Sequence, residues 1–209
     1  MKILGILGSS RAGGNTEILL DIALAKARGQ EMAASKISLR DLTIGPCDGC
    51  NGCFSTGECI VDDDMRQVYD GIRGADGIIW ASPVYYWSMS GLTKMAMDRT
   101  YALNFPALQQ AGKIGGLILV AGIRGTLTAA SPFHMYFNYN HMLAAEVAWG
   151  YAGAKGDILK DEYAKRMTEE MVLQMQALFD ANFKYPREFS HPLHRHVMES
   201  IHQKPLDRP

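Results

Sequence analysis

The four cysteines of the chain lie within one short segment, CDGCNGCFSTGEC, which runs from Cys47 to Cys59. Their spacing is C-x2-C-x2-C-x5-C. Two consecutive C-x2-C steps bring three thiolates to one side of a tight loop, and a fourth cysteine can close the set around one centre. This spacing favours an iron-sulfur cluster. A zinc ion and thiols that bind no metal remain alternatives.

A second chemically informative segment follows the apolar run Lys2 to Leu7. It reads GSSRAGGNT, and a helical pattern follows it. Backbone N–H groups of such a loop, with the positive end of a helix dipole behind them, form a site for a phosphate group. The loop has neither the lysine of a nucleoside-triphosphate loop nor the glycine spacing of a dinucleotide loop. A single phosphomonoester, as in FMN, therefore suits it best, with further donors from Ser9, Ser10, Arg11, Asn15 and Thr16.

Two later loops also follow predicted strands. SPVYYWSMSG begins at Ser82 and offers a flat ligand an apolar wall, although Trp87 could instead pack in the core or in a subunit interface. AGIRGT begins at Ala121, and Gly122 would let the backbone approach a ligand closely. Arg124 could lie over the edge of a flavin, contact a dinucleotide phosphate or simply be exposed. In an open α/β sheet such loops border one crevice.

Short apolar runs alternate with helical patterns, which predicts an α/β fold with a doubly wound five-stranded parallel sheet. The predicted strands are Lys2 to Leu7, Ser35 to Leu39, Gly77 to Ala81, Ile114 to Ala121 and Glu146 to Tyr151. The predicted helices are Thr16 to Arg28, Met65 to Arg73, Ser90 to Tyr101, Pro132 to Leu143 and Lys160 to Phe183. Three aspartates, Asp62, Asp63 and Asp64, precede the second helix, and we interpret them as capping residues.

We expect one domain over residues 1–183, with a cysteine-rich insertion at 45–62 and a C-terminal tail at 184–209. The tail contains four of the six histidines, and we expect it to lie on its own surface or on a neighbouring subunit rather than to bind metal. A net charge of -1 gives no reason to expect nucleic acid or a membrane as a partner. The sequence predicts a cytoplasmic protein that forms a homo-oligomer, either a dimer or a tetramer.

The residues from Lys2 to Thr16, together with SPVYYWSMSGLTKMAMDR from Ser82 to Arg99, resemble the NAD(P)H-dependent FMN reductase branch of the flavodoxin-like superfamily. With the cysteine segment and the following VDDDM, the chain more narrowly resembles the iron-sulfur flavoproteins. The resemblance covers roughly the first 125 residues. It implies a flavodoxin-like fold with helices on both faces of the sheet and FMN at the strand ends.

By this resemblance, the first loop would hold the FMN phosphate, and Pro83, Val84, Tyr85 and Tyr86 would border the flavin. A [4Fe-4S] cluster would be bound by Cys47, Cys50, Cys53 and Cys59. The expected function is that of an FMN oxidoreductase that exchanges electrons with NAD(P)H, a quinone or ferredoxin. The alternatives are an NAD(P)H-dependent FMN or quinone reductase without a cluster, and a flavodoxin-like electron carrier.

Overall fold

A computed structural model of the chain describes residues 1–186 and contains a parallel sheet with helices on both faces. Five strands are parallel and follow the order β2-β1-β3-β5-β6, while the two-residue strand β4 pairs antiparallel with β3. This arrangement confirms the predicted flavodoxin-like α/β fold and adds one short strand to it. The strands are β1 (Lys2–Leu7), β2 (Ala33–Ser38), β3 (Gly77–Tyr85), β4 (Ser88–Met89), β5 (Ile114–Ala121) and β6 (Leu143–Tyr151).

Six α-helices connect or follow these strands in the described residues. They are α1 (Asn15–Gly29), α2 (Gly52–Thr56), α3 (Met65–Gly74), α4 (Gly91–Arg99), α5 (Thr126–Tyr139) and α6 (Glu162–Asp180). Short 3-10 turns cover Leu39–Asp41, Thr100–Asn104 and Asp157–Lys160. The five longer helices match the five predicted from the sequence, whereas α2 forms within the cysteine segment.

Several predicted boundaries differ from the structure: α5 ends at Tyr139 and β6 begins at Leu143, three residues before the predicted Glu146. At two further boundaries a proline is the reason for the difference. Helix α5 begins at Thr126 and contains Pro132, which the sequence suggested as its first residue. Strand β3 continues through Pro83 to Tyr85 instead of ending at Ala81. Pro83 is tolerated there because it lies near the end of the ladder, where the sheet gives way to the β3–β4 hairpin.

The sheet separates two apolar layers because successive side chains of a strand point to opposite faces. On β1, Leu4 and Ile6 pack with α3, α4 and α5, whereas Ile3 and Leu7 pack with α1 and α6. Both faces of the central strands are thus buried, as a doubly wound sheet requires. The carboxyl ends of the strands are left to carry the loops.

Within residues 1–186, no helix has the combination of length and apolar character needed to cross a membrane. The histidines of the tail, His191, His194, His196 and His202, lie outside the described residues, so the expectation about them stays a prediction.

Candidate functional site

Buried hydroxyl groups join the first two loops at the carboxyl edge of the sheet. Ser90 Oγ donates a hydrogen bond to the Gly8 carbonyl oxygen at 2.6 Å, and Thr93 Oγ1 donates to Ser82 Oγ at 3.0 Å. A Cβ atom on Gly8 would lie only 1.8 Å from Thr93 Oγ1, so glycine is required for this contact. Residues 8–16 and 82–91 therefore lie against each other at the carboxyl edge of the sheet, where the sequence predicts a crevice.

The first loop keeps several backbone donors free of protein partners. In the described part of the chain, no acceptor receives the backbone N–H groups of Ser10, Ala12, Asn15 and Thr16. The last two belong to the first turn of α1, where N–H groups have no intrahelical acceptor and the dipole is positive. Unsatisfied donors around a helix N-terminus suit the oxygens of a phosphomonoester.

A charged cluster behind this loop fixes its shape. Glu17 Oε2 accepts a hydrogen bond from the Gly13 backbone N–H at 2.7 Å. The same carboxylate is bound by Arg40 at 2.8 Å and by Lys36 at 2.9 Å. The hydrogen bond from Arg40 lowers the pKa of Glu17 to about 2, although burial alone would raise it. Two cations thus neutralise an acid that would otherwise repel a phosphate.

The predicted phosphate-binding side chains have different surroundings. Ser9 is buried, and its hydroxyl accepts from the backbone N–H of Arg11, whereas Ser10 and Arg11 are exposed. Thr16 is buried at the start of α1. Asn15 uses its side chain within the protein, since its amide donates to the Ala154 carbonyl oxygen and accepts from the Gly156 N–H, each at 2.8 Å. The Asn15 side chain therefore holds the loop after β6, while its backbone N–H has no acceptor in the described residues.

The aromatic residues of the second loop form the tip of the β3–β4 hairpin. Tyr86 and Trp87 are the two residues of its turn, with φ angles of 47° and 60°. Turns of this kind favour asparagine and glycine, so two bulky aromatic residues there carry backbone strain. Tyr86 is 95% exposed and packs edge-on against Trp87, while Tyr85 is half exposed and Pro83 and Val84 are partly buried.

The third loop lies against the same hairpin. A Cβ atom on Gly125 would contact Trp87 and Val84, and the φ angle of Gly125 is 99°. A Cβ atom on Gly122 would meet nothing within 4 Å, so the backbone there faces open space. Arg124 is exposed. Gly122 and Arg124 follow β5, on the opposite side of β3 from the first loop.

The four cysteines line one small cavity of about 150 Å³ beside the end of α4. Cys47 is exposed and the other three are partly buried. Burial, followed by the proximity of Cys59, raises the pKa of Cys53 to about 11. Within residues 1–186 no three His, Cys, Asp or Glu side chains are close enough to bind a single metal ion. In a four-iron cluster each cysteine binds a different iron, so its ligands stand further apart than those of one ion.

Arg99 and Asp63 hold the two ends of the cysteine segment together. Arg99 Nη1 donates to the Gly45 carbonyl oxygen at 3.0 Å and to Asp63 at 2.8 Å, while Nη2 donates to Val61 and Asp63. The interpretation of the three aspartates as caps is therefore incomplete. Asp63 does accept from the Met65 N–H, but its main partner is this buried guanidinium.

The cysteine cavity and the crevice lie at opposite ends of α4. Ser90 caps the N-terminus of α4 beside Gly8, whereas Arg99 is the last residue of α4 and lines the cysteine cavity. Nine helical residues separate the two by about 12 Å along the axis. The helix thereby connects the two candidate sites directly.

Sequence reasoning missed the side chains that support the first loop. Lys155 Nζ donates to the Ala12 carbonyl oxygen at 3.0 Å from the loop after β6, and Arg40 approaches from the turn after β2. Neither residue is near the loop in sequence. The one available signal was Glu17, a carboxylate in the first turn of a helix that follows a phosphate-type loop, which requires a neutralising cation.

The strand order and the helices on both faces of the sheet define a flavodoxin-like protein. The profile of the family described as NADPH-dependent FMN reductase matches residues 1–155. An iron-sulfur flavoprotein of Methanocaldococcus jannaschii is 37% identical over 145 residues, which cover 68% of this chain and 75% of that protein. The chain therefore belongs to the NADPH-dependent FMN reductase family and is related to the iron-sulfur flavoproteins.

Solved structures agree with this fold. RosB bound to 8-demethyl-8-formylriboflavin-5'-phosphate aligns with a TM-score of 0.74 at 14% identity, covering 100% of this chain and 91% of RosB. A flavodoxin from the domain Archaea aligns with a TM-score of 0.54 at 16% identity, covering 84% of this chain and 99% of the flavodoxin. At such low identities the likeness concerns the fold alone.

Proposed function

We propose that the protein is an FMN-dependent oxidoreductase that carries an iron-sulfur cluster on its cysteine segment. The observation that carries the flavin part is the set of backbone N–H groups in the first loop and the first turn of α1, those of Ser10, Ala12, Asn15 and Thr16 among them, that have no acceptor in the described residues. Their position ahead of a helix dipole suits the FMN phosphate. Bound FMN would supply the ability to exchange electrons in pairs with a nicotinamide and singly with a metal cluster.

In this proposal the first loop binds the phosphate and the other two loops border the ring system. Ser9, Ser10, Arg11 and Thr16 supply hydroxyl, guanidinium or backbone donors, while Asn15 supplies its backbone N–H and holds the neighbouring loop. On the ring side, Pro83, Val84, Tyr85 and Tyr86 form an apolar wall, and Gly122 and Arg124 lie along the opposite edge. The protein binds and orients the flavin, and hydride transfer needs no acid from the protein.

The cluster part of the proposal assigns Cys47, Cys50, Cys53 and Cys59 as ligands of a [4Fe-4S] cluster. Three observations support it: the four residues line one cavity, their spacing is compact, and the named relatives are iron-sulfur flavoproteins. The proposed electron donors are NAD(P)H or reduced ferredoxin, and the acceptor is a quinone or a protein. We further propose a homo-oligomer, because Tyr86, Ile123 and Leu127 expose apolar surface near the crevice.

Anaerobic purification tests both cofactors at once. The visible spectrum, FMN content, iron and acid-labile sulfide should show one FMN per chain and four irons per chain. A protein without FMN would contradict the flavin proposal. A protein with FMN but without iron and sulfide would contradict the cluster proposal alone.

Replacing Cys50 with serine should remove most of the iron and the broad cluster absorbance, because one thiolate ligand is lost. FMN should stay bound, since Cys50 lies beyond the far end of α4 from the crevice. Ser55→Ala serves as the matched control in the same segment, because Ser55 only bonds the Gly52 carbonyl oxygen within α2. Full iron content in the Cys50 variant would refute the ligand assignment.

A second candidate function is an NAD(P)H-dependent FMN or quinone reductase without a cluster. It is favoured by the description of the family that matches residues 1–155, NADPH-dependent FMN reductase, which names no cluster. Such an enzyme would oxidise NADH or NADPH at an unchanged rate after all four cysteines are replaced by serine. A passive flavodoxin-like carrier would instead exchange electrons with ferredoxin and oxidise neither nucleotide, and a net charge of only -1 argues against this role.

Replacing Gly122 with alanine should weaken FMN binding about tenfold. One misplaced methyl group would cost about 1.4 kcal/mol of binding free energy, which corresponds to that factor. The fold should not change, because a Cβ atom there meets no protein atom within 4 Å. Gly29→Ala is the control, since it too meets nothing within 4 Å and lies at the far end of α1. Fluorescence titration of the apoprotein with FMN measures both affinities. Equal affinities for the two variants would show that the flavin does not approach Gly122.

A further inference from the structure

The side chain of Arg99 is almost completely enclosed beside the cysteine cavity. It is 1% exposed and lines that cavity together with the four cysteines. Tyr69 closes the other side, because its hydroxyl donates to the Arg99 carbonyl oxygen at 3.0 Å and lies next to Cys59. A guanidinium in such a place must find acceptors for all of its donors or leave a costly polar group unsatisfied.

Four of the five N–H bonds of Arg99 have acceptors. Nη1 uses its two on Gly45 and Asp63, and Nη2 uses its two on Val61 and Asp63. Since Gly45 and Val61 flank the cysteine segment on its two sides, one planar group fixes both ends of the loop. The acceptors all lie outside the run from Cys47 to Cys59.

The fifth donor, Nε–H, has no partner. It is buried and makes no hydrogen bond with any described residue, the cysteine sulfur atoms included. Buried donors are nearly always satisfied, so an orphan donor beside four cysteines indicates an acceptor that the protein itself does not supply. The sulfur atoms of a bound cluster are acceptors of this kind, and they carry negative charge.

We propose that Arg99 is a positioning residue for the cysteine-bound cluster, to which its Nε–H donates a hydrogen bond at a sulfur atom. The inference rests on the cluster part of the proposed function. Arg99 then has two effects: its Nη groups hold the loop closed around the centre, and its Nε–H stabilises the more negative, reduced state. Hydrogen bonds to cluster sulfurs raise the reduction potential by that second effect.

Lysine cannot replace arginine in this role, although it keeps the charge. An ammonium group is a compact donor and cannot reach Asp63, Gly45 and Val61 at once with a planar fork. It also has no donor at the position of Nε. Arg99→Lys therefore removes the hydrogen bond and the loop closure but keeps the positive charge.

The test compares wild-type protein with Arg99→Lys, both purified anaerobically. We expect the variant to release its iron to a chelator at least about tenfold faster, since outer-shell partners typically change metal affinity 10- to 100-fold. Its cluster potential, measured by redox titration with EPR, should move to a more negative value. The FMN content should match wild type and so report an intact fold. Unchanged release and unchanged potential would overturn the proposal.

Arg66→Lys is the matched control. Arg66 is an exposed arginine that pairs with Asp62 next to the same segment, and its replacement should change neither the release rate nor the potential. An equal effect from Arg66→Lys would mean that the loss of any guanidinium near the segment has this result, which contradicts the specific role assigned to Arg99.

If Arg99→Lys fails to fold, a measurement on the wild-type protein tests the proposed hydrogen bond from Arg99 to the cluster. Pulsed EPR of the reduced cluster in protein labelled with ¹⁵N-arginine should detect a nitrogen coupled to the cluster, and absence of that coupling overturns the inference. A wild-type protein without iron and sulfide would refute the cluster proposal, and the inference with it. A wild-type protein with a cluster but without the arginine coupling refutes the inference alone.

Discussion

Alanine in place of Asp63 should lower the free energy of unfolding by about 3 to 5 kcal/mol, because it leaves a buried charge without its partner. That charge is Arg99, which is 1% exposed, while the Asp63 side chain is 11% exposed. Burial is the largest single influence and lowers the pKa of Arg99, but the hydrogen bond with Asp63, together with the nearby Tyr69 and Cys59, raises the pKa above its ordinary value. Asp63 also receives the Gly45 and Met65 N–H groups, which would lose their acceptor.

Urea denaturation followed by circular dichroism measures this loss, and the neighbouring aspartate is the control. The Asp62 side chain is 83% exposed and pairs with Arg66 on the surface. Asp62→Ala should therefore change the free energy of unfolding by less than about 0.5 kcal/mol. Losses of similar size for the two variants would contradict the role given to the buried pair.

The same run of aspartates illustrates how far the sequence alone can lead. Three identical residues before a helix all suggest capping, and nothing local distinguishes the middle one. The distinction comes from Arg99, which is 36 positions away and reaches Asp63 only after α4 packs beside the cysteine segment. Roles that depend on one distant partner cannot be assigned from spacing along the chain.

Features that depend on neighbouring residues were predictable. The apolar runs that form the parallel strands, the glycine-rich turn before α1 and the order of the three loops all follow from local pattern. The strained turn at Tyr86 and Trp87 was not predictable, because the conformational preferences of aromatic residues disfavour left-handed backbone. In the folded chain Trp87 lies against Gly125, a contact between loops that is distant in sequence.

Asn15 shows the same limit within the proposed FMN site. Its position in the first loop predicts a ligand donor, and that role stays a prediction. The structure adds a partner 139 residues away, since the Asn15 amide donates to the Ala154 carbonyl oxygen. A residue type that suits phosphate binding also suits the attachment of one loop to another, and only the folded chain distinguishes these uses.

The carboxylate of Glu17 should give the protein an acid-sensitive component of stability. Its pKa falls from 4.5 to about 2 on folding, first because of the Arg40 hydrogen bond. A depressed pKa stabilises the folded state above pH 4.5, and this contribution is lost as the pH falls through about 2. A shift of this size corresponds to about 3 kcal/mol at neutral pH.

Glu17→Gln removes the charge but keeps the shape, so it isolates this component. At pH 7 the variant should unfold with a free energy about 3 kcal/mol lower than wild type. The difference should narrow between pH 5 and pH 2, because protonation of Glu17 makes wild type resemble the variant. Urea denaturation at pH 7, 5, 4 and 3 follows the narrowing directly.

Asp21→Asn provides the matched comparison because Asp21 shares Lys36 with Glu17 on the same helix. The Asp21 side chain is 55% exposed, against 10% for Glu17, so its ion pair is screened by water. Its removal should cost less than about 1 kcal/mol at every pH. If the difference in unfolding free energy between wild type and Glu17→Gln did not change with pH, the lost stability would come from packing. The charge of the buried carboxylate would then not be what fixes Gly13 and the first loop.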